Sequence, residues 1–214
     1  MSQQQHKSSA GFTIIELMIA TLVFSVILLI VTAGVISLTN QYYKGITSSN
    51  TQSVARAVMD TISQDIQFSD GSKVTATPTG SPPPSFGYFC VGSHQYTYQL
   101  HQQLAKSASD KTSVQTANSL VQGTLSGNCP TSGVSDFTDA GANQRELLTP
   151  GMRLANLSVK QGGTANSWQI TVRIVSGDDD LLTNKTSPTT VCNVGSGSQF
   201  CAYSQLTTTV ESRL

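Results

Sequence analysis

Gly11-Phe12-Thr13-Ile14-Ile15-Glu16-Leu17-Met18-Ile19-Ala20 sets one carboxylate within the first turns of an otherwise uncharged apolar segment, directly after a polar leader ending in glycine. From Leu17 through Leu38, 22 residues pass without Asp, Glu, Lys or Arg. At about 1.5 Å per residue, a helix of that length crosses a hydrocarbon core of about 30 Å. An ionised carboxylate at the edge of that core costs on the order of 2.5 kcal/mol or more unless it is paired or reaches the interface. Its natural partner is an amine, and a cut between Gly11 and Phe12 would make one. The new α-ammonium of Phe12 lies four residues from Glu16, on the same helix face. Within one helix the pair meets only approximately; between staggered neighbouring helices it closes well.

Two plainer readings compete. A single-pass anchor could let Glu16 snorkel to the headgroups. A secretory signal peptide would place its apolar region before the cleavage site. Residues 1–11 are polar throughout, so a cut after Gly11 keeps the helix.

At these residues the chain resembles the type IV pilin and pseudopilin superfamily, whose class III signal has Gly, an apolar residue and Thr-x-x-Glu-Leu at the head of a hydrophobic helix. The resemblance implies that a prepilin peptidase cuts between Gly11 and Phe12 and N-methylates Phe12. It further implies that Glu16 binds the N-terminus of an adjacent subunit during assembly, with other pilin subunits and an assembly platform as partners. It implies a single-pass protein of the cytoplasmic (inner) membrane, with its head outside the cytoplasm and on the surface fibre once assembled. Many type IV pilins carry a proline midway along the apolar segment; here Ala33-Gly34 stands in that neighbourhood. Arg56 to Ile62 and the closing Leu206 to Arg213 are similar to the minor subunits that include J-type pseudopilins and W-type minor pilins. A major pilin and a tethered adhesin that never polymerises are the alternatives.

The full 214 residues leave room for one membrane helix and one further domain. Formal net charge is zero and only 11% of residues are charged, so no basic field draws nucleic acid. Ser, Thr, Asn, Gln and Gly are abundant, as on an exported surface. Cys90, Cys129, Cys192 and Cys201 all follow the apolar helix, and an even number outside the cytoplasm suggests two disulfides. Cys192 and Cys201 bracket a Gly- and Ser-rich loop, so Cys192–Cys201 with Cys90–Cys129 is the simplest of three connectivities. Buried thiols remain open, and a zinc site lacks the usual C-x₂-C spacing.

Between Asn40 and Phe68 no proline occurs, and Val54, Val58, Ile62 and Ile66 recur at four-residue spacing with Ala55, Ala57 and Met59 nearby. Arg56, Asp60, Gln64 and Asp65 take the other side. The pattern predicts one helix from about Phe12 to Phe68, spanning or filling a fibre core over 12–39 and packing on a head over 40–69. Asp70-Gly71 and Pro78 to Pro84 predict a stiff linker over 70–85. In the head, 86–214, a hairpin is expected with strands at Phe86 to Val91 and Tyr96 to Leu100 around a turn at 92–95. A second runs from Leu154 to Lys160 and returns through Trp168, Ile170, Val172 and Ile174, with Gln169, Thr171 and Arg173 on the wet face. A last strand covers about Phe200 to Val210, and 105–142 reads as a surface excursion. The fold class is therefore α+β and pilin-like: a long N-terminal helix, membrane-spanning in its first half, packed on an antiparallel sheet of four or five strands.

Catalytic chemistry finds little footing. His6, His94 and His101 form no Ser-His-Asp or Cys-His pattern; His94 falls at a turn and His101 on an exposed face. No cofactor site is indicated. Asp178, Asp179 and Asp180 offer hard oxygen ligands that could hold calcium, but they lack the EF-hand order, and an acidic run is more often a solvated turn. Tyr42 and Tyr43 suit an interfacial aromatic belt.

Overall fold

The structure, a computed structural model, describes residues 11–78, 85–105, 115–131, 134–164 and 166–213. It divides into two compact units with the boundary between Tyr42 and Tyr43. Residues 1–10 of the expected leader and the prolines at 82–84 lie outside the described residues.

Helix α1 (Ile14–Gln67) runs 54 residues without interruption through Gly34 and Gly45. In the first unit its residues are exposed although most are apolar. Four of its hydroxyls bond back within the helix: Thr21 donates to the Met18 carbonyl at 3.0 Å, Ser25 to Thr21 at 2.7 Å, Thr32 to Leu28 at 2.7 Å and Thr39 to Val35 at 2.8 Å. Such back-bonding lowers the demand of these hydroxyls for water, which suits a helix surrounded by hydrocarbon.

The second unit starts where α1 becomes amphipathic. Thr51, Val54, Ala55, Val58, Met59, Ile62 and Ile66 are buried on one stripe, while Ala57 is exposed. Two principal sheets meet that stripe. One is formed by β1 (Phe86–Val91), β2 (His94–Gln99), β5 (Leu120–Thr124) and β6 (Ala142–Glu146) in the order β1-β2-β5-β6. The other has the order β11-β8-β7-β3-β4 and contains β3 (Gln103–Leu104), β4 (Gln115–Thr116), β7 (Met152–Gln161), β8 (Ser167–Ser176) and β11 (Ala202–Glu211). Its pairs are antiparallel except β3 with β4. A small pair, β9 (Leu182–Thr183) with β10 (Val191–Cys192), completes the strands. The expected α+β architecture of one long helix on antiparallel strands is what forms, with the strands divided between sheets of four and five.

A single core joins the stripe to both sheets. It includes Phe89, Tyr96, Tyr98 and Leu120 from one and Leu154, Leu157, Val159, Ile170, Val172 and Ile174 from the other. Phe89 and Tyr96 stack with ring centroids 4.9 Å apart. Leu154 and Leu157 are an odd number apart yet share the core, because a bulge at Ala155 shifts the register between Leu154 and Asn156. The segment read as a linker carries structure before Pro78: Val74 bridges Val91, Thr75 N–H donates to the Cys90 carbonyl at 2.9 Å, and Thr77 N–H donates to the Val159 carbonyl at 3.0 Å. It thus ties the two sheets together.

Several local expectations are corrected. The first turn is only Gly92-Ser93, with Gly92 at φ +58°, the position where a primed two-residue hairpin turn favours glycine. His94 therefore opens β2 instead of lying in solvent. The 105–142 excursion contains β5, whose Leu120 and Val121 are buried. There Gly123 is required by close approach, since a Cβ would stand 1.8 Å from the Ala140 carbonyl oxygen. Arg173 is buried, not wet, because the segment after β8 folds back over that face: its guanidinium donates to the Thr190 carbonyl at 2.6 Å and to Gln205 Oε1 at 2.7 Å. His101 is half-buried at φ +69°, with Nδ1 enclosed and unpartnered. Burial, then the nearby Arg153 guanidinium, hold its imidazole below the usual histidine range.

Two outcomes follow for a fragment covering 43–214. Ile62→Ala should cost about 2–5 kcal/mol in denaturant unfolding, while exposed Gln64→Ala should stay within about 0.5 kcal/mol; equal small effects would show that the stripe is not core. Folding disfavours protonated His101, so the stability it contributes is complete above its unfolded pKa of about 6.5 and is lost as pH falls below that value. His101→Asn, which tolerates the left-handed backbone, should flatten the fall in Tm between about pH 7 and about pH 5 relative to the parent.

Candidate assembly site at the helix N-terminus

The start of α1 is built by reciprocal hydrogen bonds between Thr13 and Glu16. The Thr13 carbonyl accepts from Leu17 N–H at 3.2 Å, which makes Thr13 the N-cap. Its Oγ1 accepts from Glu16 N–H at 3.3 Å, and Glu16 Oε2 in return accepts from Thr13 N–H at 3.0 Å and Thr13 Oγ1 at 2.8 Å. This is a capping box, and Thr-x-x-Glu before an apolar run is its sequence signature. The sequence reading used Glu16 for its charge alone and missed Thr13, although the signal was present. The carboxylate also lies near the positive end of the helix dipole, which favours it.

From Phe12 to Tyr43, Glu16 is the only charged side chain. Both cap bonds fall on Oε2, and Glu16 and Phe12 are exposed. The arrangement is a carboxylate anchored by one oxygen within an apolar surface. It can receive a cation.

The cysteines and the Asp178–Asp180 run singled out from sequence lie in the second unit. Cys90 is bonded to Cys129 and Cys192 to Cys201, with Cα separations of 5.9 and 5.8 Å. Asp178, Asp179 and Asp180 do not converge. Asp179 pairs with the buried Arg153 at 2.6 Å, and Asp178 Oδ1 accepts from Gln103 Nε2 at 3.1 Å. Burial opposes ionisation of Asp179, but the Arg153 hydrogen bond and charge together hold its carboxyl below the usual range. Among the described residues, no group of three or more His, Cys, Asp or Glu could hold a metal ion.

Asp65, assigned to the polar side of the helix, is instead a junction. Its Oδ2 accepts from Tyr96 OH at 2.6 Å and Gln122 Nε2 at 2.9 Å, and lies 3.0 Å from His94 Nδ1. Burial, then Asp65, push the Tyr96 hydroxyl far above the usual tyrosine range, so it serves as a fixed donor. The cluster links α1 to two strands of one sheet. A cleft of about 840 Å³ beside the end of α1 is lined by Phe68, Asp70, Lys73, Ser93 and Asn128 among others. Its carboxylate is engaged by Ser72 N–H at 3.0 Å.

No curated protein and no solved structure matches the chain. Residues 6–32 match the family described as the prokaryotic N-terminal methylation motif. The match spans the end of the leader, the Thr13–Glu16 cap and much of the apolar part of α1. With the class III signal it implies processing by prepilin peptidase and other pilin subunits as partners, and together with the long apolar helix it fits a membrane-anchored pilin. It points to a structural subunit rather than an enzyme, and supports a type IV pilin- or pseudopilin-like precursor.

Proposed function

We propose that this protein is a minor subunit of a type IV pilus or related pseudopilus, similar to the J-type and W-type subunits. Prepilin peptidase removes residues 1–11 by cutting between Gly11 and Phe12, and Phe12 is N-methylated. The mature chain waits in the cytoplasmic membrane with its disulfide-bonded head outside, and an assembly platform moves it into a fibre.

The observation that carries this reading is the lone carboxylate of Glu16 on an exposed apolar helix, with Oε2 engaged in the cap. Oε1 remains directed to a neighbour's Phe12 ammonium while Oε2 keeps capping its own helix. Burial of the apolar side chains, each worth about 1.5–3 kcal/mol when fully covered, drives association where water is displaced, and lateral packing takes over within lipid. The charge pair fixes register, because a slipped neighbour would leave a carboxylate unpaired in an apolar surround. The large head favours initiation, capping or adhesion over bulk polymer.

The test is the N-terminal sequence and intact mass of the chain from sheared fibres and from membranes. N-methyl-Phe12 at the start of the fibre-borne chain is expected, at low stoichiometry to the main subunit. Glu16→Ala should still be cleaved but should enter fibres poorly. Thr13→Ala removes a cap worth about 1 kcal/mol and leaves the charge, so it should impair entry far less. A mature chain found wholly in membranes, with Glu16→Ala indistinguishable from the parent, would replace the polymer reading with a tethered binding module.

A further inference from the structure

Thr186 through Val210 is a run of 25 residues without a charged side chain. Inside it the Cys192–Cys201 disulfide closes a loop that turns apolar groups outward: Val194 is 100% exposed and Phe200 50%. The Phe200 ring meets Tyr43 of α1, with centroids 5.5 Å apart and planes tilted by 49°. Tyr43 and Ile46 are themselves 44% and 47% exposed. A disulfide-tied loop tip and one helix turn thus form a joint apolar and aromatic patch at one end of the second unit. Nothing in the core calls for it, since none of these four residues belongs to the buried clusters.

The chain itself limits where this patch can lie. Tyr43 follows Leu38, the end of the apolar run, by five residues. Five residues rise about 7.5 Å as helix and reach at most about 18 Å fully extended. The headgroup layer on each side of a bilayer is about 5–8 Å thick. Because α1 is helical through Tyr43, the shorter of these distances applies, and it brings Tyr43, with Phe200 against it, within reach of the headgroup layer. Amphipathic rings favour that layer, and Lys44 beside Tyr43 offers a cation to lipid phosphates. The uncharged 186–210 run sets no ionised group against dehydration there.

We propose that the Tyr43–Phe200 patch, with the Val194 tip of the disulfide loop, is a lipid-docking surface that seats the head on the outer face of the membrane before assembly. The inference rests on the membrane-anchored reading of α1. The disulfide matters because a preformed loop loses little conformational freedom on docking. Withdrawal of the subunit into a fibre would then have to lift this loop off the lipid.

The experiment uses the full chain in phosphatidylcholine and phosphatidylglycerol vesicles carrying nitroxide on either the headgroup or the acyl chain. Trp168 is the single native tryptophan and is 5% exposed, so its emission provides a constant background. Phe200→Trp and Tyr43→Trp each read one side of the patch, and Phe24→Trp reads the span. The expected result is about twofold quenching of the added emission by headgroup nitroxide in both patch variants, with Phe24→Trp quenched by the acyl-chain label. If Phe24→Trp is quenched and Phe200→Trp is not, the loop stands off the bilayer and the inference fails while the anchor reading survives. If Phe24→Trp also escapes quenching, both fall together.

Discussion

Burial of the Val54-Val58-Ile62-Ile66 stripe is the interaction on which the rest of the second unit depends. Neither sheet has another helix to cover its inner face among the described residues, and both send their large apolar side chains to this one. A sheet with one uncovered apolar face is not stable in water. The stripe therefore serves as the common floor of two sheets, and the Val74–Thr77 strip and the Asp65 cluster close the seams around it. The cluster adds direction to an otherwise non-directional contact, because at another register the partly buried Asp65 carboxylate would lose its donors.

The same helix carries a second, opposite constraint. Up to Ile46 its apolar residues are exposed, its threonine hydroxyls are bonded internally and its one acid is turned back into a cap. Such a segment is finished as a backbone and unfinished as a surface. The helical backbone and the threonine hydroxyls have local partners, while the apolar area has none. This division separates what the subunit settles alone from what it leaves to lipid or to other subunits.

The two disulfides staple connections between strands, with Cys90 and Cys201 themselves buried. Cys90–Cys129 closes 39 residues and Cys192–Cys201 closes 9. In the chain-entropy account such closures remove roughly 4 and 3 kcal/mol of unfolded-state freedom. The second closure falls within 177–201, where the strands β9 and β10 are only two residues each. Arg153 and Arg173 reinforce that segment, by pairing with Asp179 and by donating to the carbonyl of Thr190.

The long helix, its apolar and amphipathic halves, the hairpin of Leu154 to Lys160 with Trp168 to Ile174, the last strand and the isolation of Glu16 in an apolar stretch are legible in the sequence. Each of these is a local or periodic property, readable from spacing of 3.6 or 2 along one stretch. Tertiary structure alone decided that the strands split between two sheets, that β5 lies within an apparently polar excursion, and that Arg173, His94 and Asp65 are engaged. These outcomes depend on which distant segment covers a face. Arg173 alternates with core residues as a wet position would, and only the return of 177–201 over it makes it buried. Asp65 sits on the polar side of its helix, and only β2 and β5 arriving there turn it into a junction. The meeting of Phe200 with Tyr43 is of the same kind: two residues 157 positions apart, joined by a fold that neither neighbourhood announces.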